Sequence, residues 1–209
     1  MEKEIKFPSE GYAIEGLLEK NGSSIGVAIT HPHPLYGGDM HNNIVAAIQR
    51  AYQKMNGTTL RFNFRGVGGS QGNYSEGIGE QEDLRSAIAY LSDLGMERID
   101  IVGYSFGAWV IAHLSCRRDG IANMVMVSPP VAFIGFESVA GLDCLKLIVT
   151  GSRDDIAPPD LIKQSYRQWN PEAHFEVIPG ADHFYGGYTA RLEAVLSSFL
   201  ADGGRTSII

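Results

Sequence analysis

The sequence is poor in cysteine, in positive charge and in long apolar runs, and each shortage excludes something. Two cysteines occur in 209 residues. Cys116 and Cys144 stand far apart among apolar neighbours, at a spacing that fits neither a CxxC redox pair nor a zinc framework. They are expected as two buried, reduced thiols. Lys and Arg total 17 against 24 Asp and Glu, a net charge of −7. The chain therefore lacks the cationic face that a nucleic acid or an anionic membrane would require as partner. The longest apolar stretch, residues 101–114, is broken by Gly, Ser and His and is too short to span a bilayer. The opening MEKEIKF carries no apolar core of a secretory signal. A cytoplasmic protein with no membrane and no nucleic-acid partner is the expectation.

What is present fits an ordinary globular chain, with 44% hydrophobic and 20% charged residues. The length suits one domain, residues 1–209, able to bury about 70% of its unfolded surface. No linker, repeat or low-complexity block interrupts it, and the Gly-rich tail, residues 201–209, is expected to fray. IKF and YAIEGLL near the start read as a hairpin of two strands. Six near-continuous apolar runs follow, at 24–30, 58–64, 99–103, 122–128, 145–150 and 174–178. Such runs mark strands buried on both faces of a parallel sheet. Helical periodicity fills the intervals at 42–55, 79–94, 106–117, 160–169 and 188–200. The alternation predicts an α/β fold, a mostly parallel eight-stranded sheet flanked by helices with right-handed crossovers. About 14 residues between the strand region ending at Pro130 and that starting at Leu145 leave no room for a cap domain.

The pattern GxSxG occurs twice. A serine hydroxyl becomes a nucleophile only when a base takes its proton and the chain holds the oxygen clear of the sheet. A sharp strand-to-helix turn does this, so the motif counts where a strand precedes it and a helix follows at once. GYSFG at 103–107 satisfies both conditions. GGSQG at 68–72 runs into the polar, Gly-rich NYSEGIGE and reads as a flexible loop, which sets Ser70 aside. Ser105 is the candidate nucleophile.

A serine nucleophile needs a base, and the base an orienting acid, in the chain order Ser, Asp or Glu, His. Each should follow the carboxyl end of a later strand. GSRDDIAPP after LKLIVT supplies Asp154, and PGADHFYGG after HFEVI supplies His183. Asp155 competes with Asp154 but is expected instead to cap the turn before Pro158. Asp182 reads as a loop-ordering residue, His113 as a packed or half-exposed helix residue, and His174 as a strand residue with no partner nearby.

With these positions in hand, the chain resembles the α/β-hydrolase superfamily over nearly its full length. Nearest in pattern are small, capless bacterial hydrolases with HPHPLYGG (residues 31–38) after an early strand and FRGVGGSQG (residues 64–72) after the next. Dienelactone hydrolases are similar in size and layout, but carry Cys where this chain has Ser105. The resemblance implies Ser105 as nucleophile, Asp154 as acid and His183 as base, as the residues themselves suggest.

An oxyanion hole requires two backbone N–H groups aimed at the developing alkoxide. One is expected from Phe106, and the resemblance places the other in the HPHPLYGG loop. Pro32 and Pro34 have no N–H, so Leu35 is the first choice and Tyr36 the second. The same loop carries His31, His33, Asp39 and His41, which invite a metal reading. The Asp-His pair of the usual metallo-hydrolase motif does not follow. The histidines are instead expected to bond neighbouring loops, and no metal or cofactor is expected. Arg65 reads as a scaffold residue pairing with loop groups, and the Gly-rich loop around it has no P-loop lysine.

The partner expected is a small-molecule acyl substrate, with Leu35, Tyr36, Phe106, Phe133, Ile156, Phe184 and Tyr185 lining its cleft. With no lid and no basic anchor for a carboxylate or CoA phosphate, small uncharged acyl esters fit best. Thioester or amide hydrolysis through the same residues remains open, as does a catalytically silent binding protein. Oligomeric state is not readable from the sequence.

Overall fold

A computed structural model describes residues 1–202, so the tail from 203 onward, part of the segment expected to fray, lies outside the described residues. Strands β1 (Lys3–Ser9) and β2 (Tyr12–Glu19) form the expected hairpin. Its two-residue turn, Glu10 and Gly11, has φ of 46° and 87°, the left-handed pair that suits the twist of flanking strands. The chain continues through β3 (Ile25–Thr30), α1 (Asn43–Lys54), β4 (Thr58–Phe62), α2 (Ile78–Asp93), β5 (Arg98–Tyr104) and α3 (Phe106–Ala112). It ends with β6 (Asn123–Val127), β7 (Leu145–Gly151), α4 (Pro159–Trp169), β8 (His174–Ile178) and α5 (Thr189–Ala201).

The eight strands form one sheet in the order β1-β2-β4-β3-β5-β6-β7-β8. β2 runs antiparallel to both its neighbours, and every other pairing is parallel. The apolar runs are continuous because successive residues bury on opposite faces. Val27, Ile29, Val125, Val127, Leu147 and Val149 pack with α1 and α5 residues such as Ile44, Ile48, Leu192 and Leu196. Ala28, Ile101, Met124, Met126 and Ile148 pack on the other side with Leu84, Leu91, Val110, Ile162 and Trp169 from α2, α3 and α4. Each large aliphatic side chain buried this way stabilises the fold by about 1.5–3 kcal/mol.

β3 and β5 are neighbours, yet β3 continues to β4 on one side and β5 continues to β6 on the other. Loops leaving the two strands diverge there, opening a crevice beyond their carboxyl ends.

Two expectations need correction. The helix expected over 106–117 stops at Ala112. Beyond it the Ser115 N–H donates to Asp119 Oδ2 at 2.8 Å and the Asp119 N–H to the Ser115 carbonyl at 2.9 Å, closing a separate turn. That turn brings Cys116 back to the start of β7, where it is disulfide-bonded to Cys144 with Cα atoms 5.6 Å apart. The cysteines are thus not the two reduced thiols expected. Among the described residues, no helix is long and apolar enough to cross a membrane.

Candidate active site

Ser105 lies between β5 and α3 at φ 55° and ψ −119°, a conformation L-residues avoid unless their surroundings force it. Two glycines permit the crowding. A Cβ at Gly103 would stand 2.4 Å from the Gly107 carbonyl oxygen, and one at Gly107 would stand 2.5 Å from Thr30 Oγ1. The Ser105 N–H donates to the Val127 carbonyl at 2.9 Å, and its carbonyl accepts from the Ala108 N–H at 2.8 Å. The turn is held at both ends.

The loops after β7 and β8 reach the same point. His183 Nε2 lies 2.9 Å from Ser105 Oγ, while His183 Nδ1 lies 3.0 Å from each Asp154 carboxylate oxygen. An acceptor carboxylate at Nδ1 requires the proton there, which leaves Nε2 as acceptor for the serine hydroxyl. All three side chains are nearly buried, with Asp154 at 2% exposure. Burial alone would raise the Asp154 pKa. The hydrogen bond and charge of His183, with the Ala157 N–H, outweigh that and hold the carboxyl below its ordinary range. Asp154 Oδ1 accepts from Ile156 N–H at 3.0 Å and Ala157 N–H at 2.7 Å. Asp154, not Asp155, therefore caps the turn before Pro158.

Several supporting residues carry no motif signal. The Tyr104 hydroxyl donates to the His183 carbonyl at 2.8 Å and is buried, which raises its pKa. Tyr185, expected to line the cleft, is instead fully buried, and its hydroxyl pairs with Ser128 Oγ at 2.9 Å. With φ at 52°, the chain at Tyr185 turns the ring into the core beneath the His183 loop. The Trp109 indole N–H donates to the Gly135 carbonyl at 2.9 Å, fastening the segment that brings Phe133 and Ile134 to the site.

The HPHPLYGG loop is ordered by its histidines. Buried His31 donates from Nδ1 to the Pro32 carbonyl at 2.7 Å and accepts the Phe64 N–H on Nε2 at 3.0 Å. Burial lowers its pKa to about 4, so the ring is neutral. His33 Nδ1 accepts the Leu35 N–H at 3.2 Å, and the Tyr36 N–H donates to the His33 carbonyl at 3.1 Å. Both N–H groups expected as the second oxyanion donor are therefore already engaged inside the loop. Among the described residues, the N–H groups of His33 and Phe106 have no acceptor. No group of three or more His, Cys, Asp or Glu is placed to hold a metal among the described residues.

Other expectations resolve simply. Arg65 pairs with Asp83 at 2.9 Å and Glu10 at 3.1 Å. Ser70 is not in a loose loop: its buried hydroxyl donates to the Asn63 carbonyl at 2.7 Å and accepts the Glu15 N–H at 3.0 Å. Asp182 orders its loop by accepting the Phe184 N–H at 3.1 Å. His113 Nδ1 bonds the Trp109 carbonyl at 2.8 Å, and His174, exposed, has Glu176 as a partner at 3.4 Å.

A cleft of about 760 Å³ opens on Ser105. Of the expected lining residues, Tyr36, Phe106, Phe133, Ile156 and Phe184 face it, together with His33, Pro130 and Ile134. Leu35 is exposed on the loop outside this lining. Among the described residues no Lys, Arg, Asp or Glu lines the cleft.

No protein-family model matches the chain. An uncharacterised Rickettsia prowazekii protein, RP471, is 35% identical over 182 residues, spanning 82% of this chain and 76% of that protein. A Coxiella burnetii structure described as an α/β serine hydrolase homologue superposes with a TM-score of 0.89 at 33% identity, covering 95% of this chain and 97% of its own. XC6422 from Xanthomonas campestris, a serine hydrolase without a lid, shares the fold with a TM-score of 0.89 at 22% identity, covering 97% of this chain and 94% of its own. The strand order, the elbow after β5 and these full-length likenesses place the chain in the α/β-hydrolase superfamily, to which it belongs as a small, capless member.

Proposed function

We propose that this protein is a serine hydrolase that cleaves small, uncharged acyl esters through Ser105, His183 and Asp154. The observation that carries the reading is the unbroken relay from Ser105 Oγ to His183 at 2.9 Å and on to Asp154 at 3.0 Å. The description of the Coxiella burnetii relative as a serine hydrolase homologue agrees with it.

In the first half-reaction His183 Nε2 takes the Ser105 proton as Oγ bonds to the acyl carbon. The carbonyl electrons move onto oxygen, and the Phe106 and His33 N–H groups, free of protein acceptors, stabilise that charge. The imidazolium is steadied by the Asp154 carboxylate. The C–O bond to the alcohol then breaks, and the alcohol oxygen leaves with the proton from His183. Water repeats the sequence on the acyl-enzyme, returning Ser105 and releasing the acid.

The uncharged lining favours esters over acyl-CoA thioesters, whose phosphates would find no cationic anchor in the cleft. A fluorophosphonate probe tests the nucleophile: wild type should label and Ser105→Ala should not. A panel of p-nitrophenyl esters, acyl-CoAs and aminoacyl amides then tests the bond. Absence of labelling in folded wild type would support the silent binding protein instead, and higher kcat/KM on acyl-CoAs or amides would replace the ester reading.

A further inference from the structure

Ester cleavage requires His183 Nε2 to hand its proton to the departing alcohol oxygen, so the alcohol must leave on the side of the cleft where His183 stands. Phe184 lines the cleft next to His183. Its ring meets the His183 imidazole edge-on, with centroids 5.6 Å apart and planes at 88°. The chain on either side is pinned, by Asp182 Oδ1 on the Phe184 N–H at 3.1 Å and by the buried Tyr185 hydroxyl on Ser128. Phe184 nevertheless remains 66% exposed while lining the cleft. A largely exposed aromatic ring set against the His183 imidazole, on a backbone held at both sides, is poorly explained as core packing, because the residue is not packed.

Resting on the esterase reading, we infer that Phe184 is a specificity-determining residue that receives an aromatic alcohol portion, making esters of aryl and arylmethyl alcohols the favoured substrates. A flat ring gains from contact with another ring beyond the area it buries. An alkyl group gains by area alone, and an open, capless cleft surrounds it on few sides. The chemistry is unchanged: the acyl carbon bonds to Ser105 Oγ, the bond to the aromatic alcohol breaks, and its oxygen keeps the electron pair and takes the His183 proton.

Benzyl acetate and cyclohexylmethyl acetate share the acyl group and the reach of the leaving group, and differ in whether the ring is aromatic. Their kcat/KM values, each divided by the rate of hydroxide hydrolysis, should differ about two- to tenfold in favour of benzyl in the wild type. Phe184→Leu should bring the ratio close to one, and Phe184→Tyr should preserve it. A ratio near one in the wild type, or one that survives Phe184→Leu, overturns the assignment while leaving the esterase reading intact. Folded wild type that hydrolyses neither acetate, and no p-nitrophenyl ester, overturns both.

Discussion

The backbone N–H of Leu35 donates to His33 Nδ1 at 3.2 Å, so the side chain of His33 takes up the N–H of the residue two positions on. Within residues 33–38, the backbone N–H left without a protein acceptor is that of His33 itself. His33 sits at φ −57° and ψ 124°, a backbone that proline can occupy, and one suited to the residue before Pro34. His33→Pro should therefore fold yet lose kcat by about 10²–10³, the cost of one oxyanion donor. His33→Ala keeps the N–H and should lose no more than about tenfold, the scale of one neutral hydrogen bond. Steady-state kinetics of the two variants decide it: wild-type kcat in His33→Pro would put the second donor elsewhere.

The elbow holds Ser105 in a strained backbone, at φ 55° and ψ −119°. Ser105→Ala and Ser105→Gly should each lower kcat by about 10⁶. Only the glycine relaxes the backbone at φ 55°, so Ser105→Gly should be the more stable of the two by about 1 kcal/mol. In a chain of this size that is a Tm difference of about 2–4 °C. Equal melting temperatures would mean that the turn is not strained.

Acid should weaken the fold through His31. Its pKa lies near 4 in the folded protein against an ordinary 6.5. The contribution is fully present above 6.5, and as pH falls towards 4 the unfolded chain takes up a proton that the folded chain refuses. Across that window the loss is about 3 kcal/mol, and it flattens below 4. His31→Gln can still accept from Phe64 but does not titrate, so its urea midpoint should fall less steeply between pH 7 and 4. Parallel curves would refute the assignment. Asp154, whose pKa is depressed, acts in a lower window: its contribution holds above about 3.8 and disappears as pH falls through the folded value.

The Cys116–Cys144 bond closes a loop across 28 positions. Constraint of the unfolded chain at that length stabilises by about 3.5 kcal/mol. Reductant, or the double variant Cys116→Ser with Cys144→Ser, should lower the denaturant midpoint accordingly, with the relay distances untouched. An unchanged midpoint under reductant would show that the bond adds no constraint.

Much of this was legible in the sequence for definite reasons. Strand runs such as 145–150 could be read because both faces are buried, which leaves few polar interruptions. That Ser105, His183 and Asp154 meet could be read because each follows a strand's carboxyl end in a fixed order. Tyr185 could not, since whether a loop ring points into a cleft or a core depends on a positive φ that tyrosine rarely adopts. The cysteine pairing could not, since it hinges on α3 stopping at Ala112 while apolar periodicity runs on past it. That the Leu35 and Tyr36 N–H groups are taken up inside their own loop could not be read either, since it depends on a tight turn that no pattern of residue types encodes.

The stretch between β6 and β7 is fastened midway by Trp109 to Gly135 and at its far end by the disulfide. Ser105, Asp154 and His183 all belong to other connections. Extra polypeptide spliced just ahead of the Gly135 anchor, where Phe133 and Ile134 line the cleft, would thus grow beside the mouth and leave Ser105, Asp154 and His183 in register. Enlargement of this enzyme, by design or by descent, has an address already prepared.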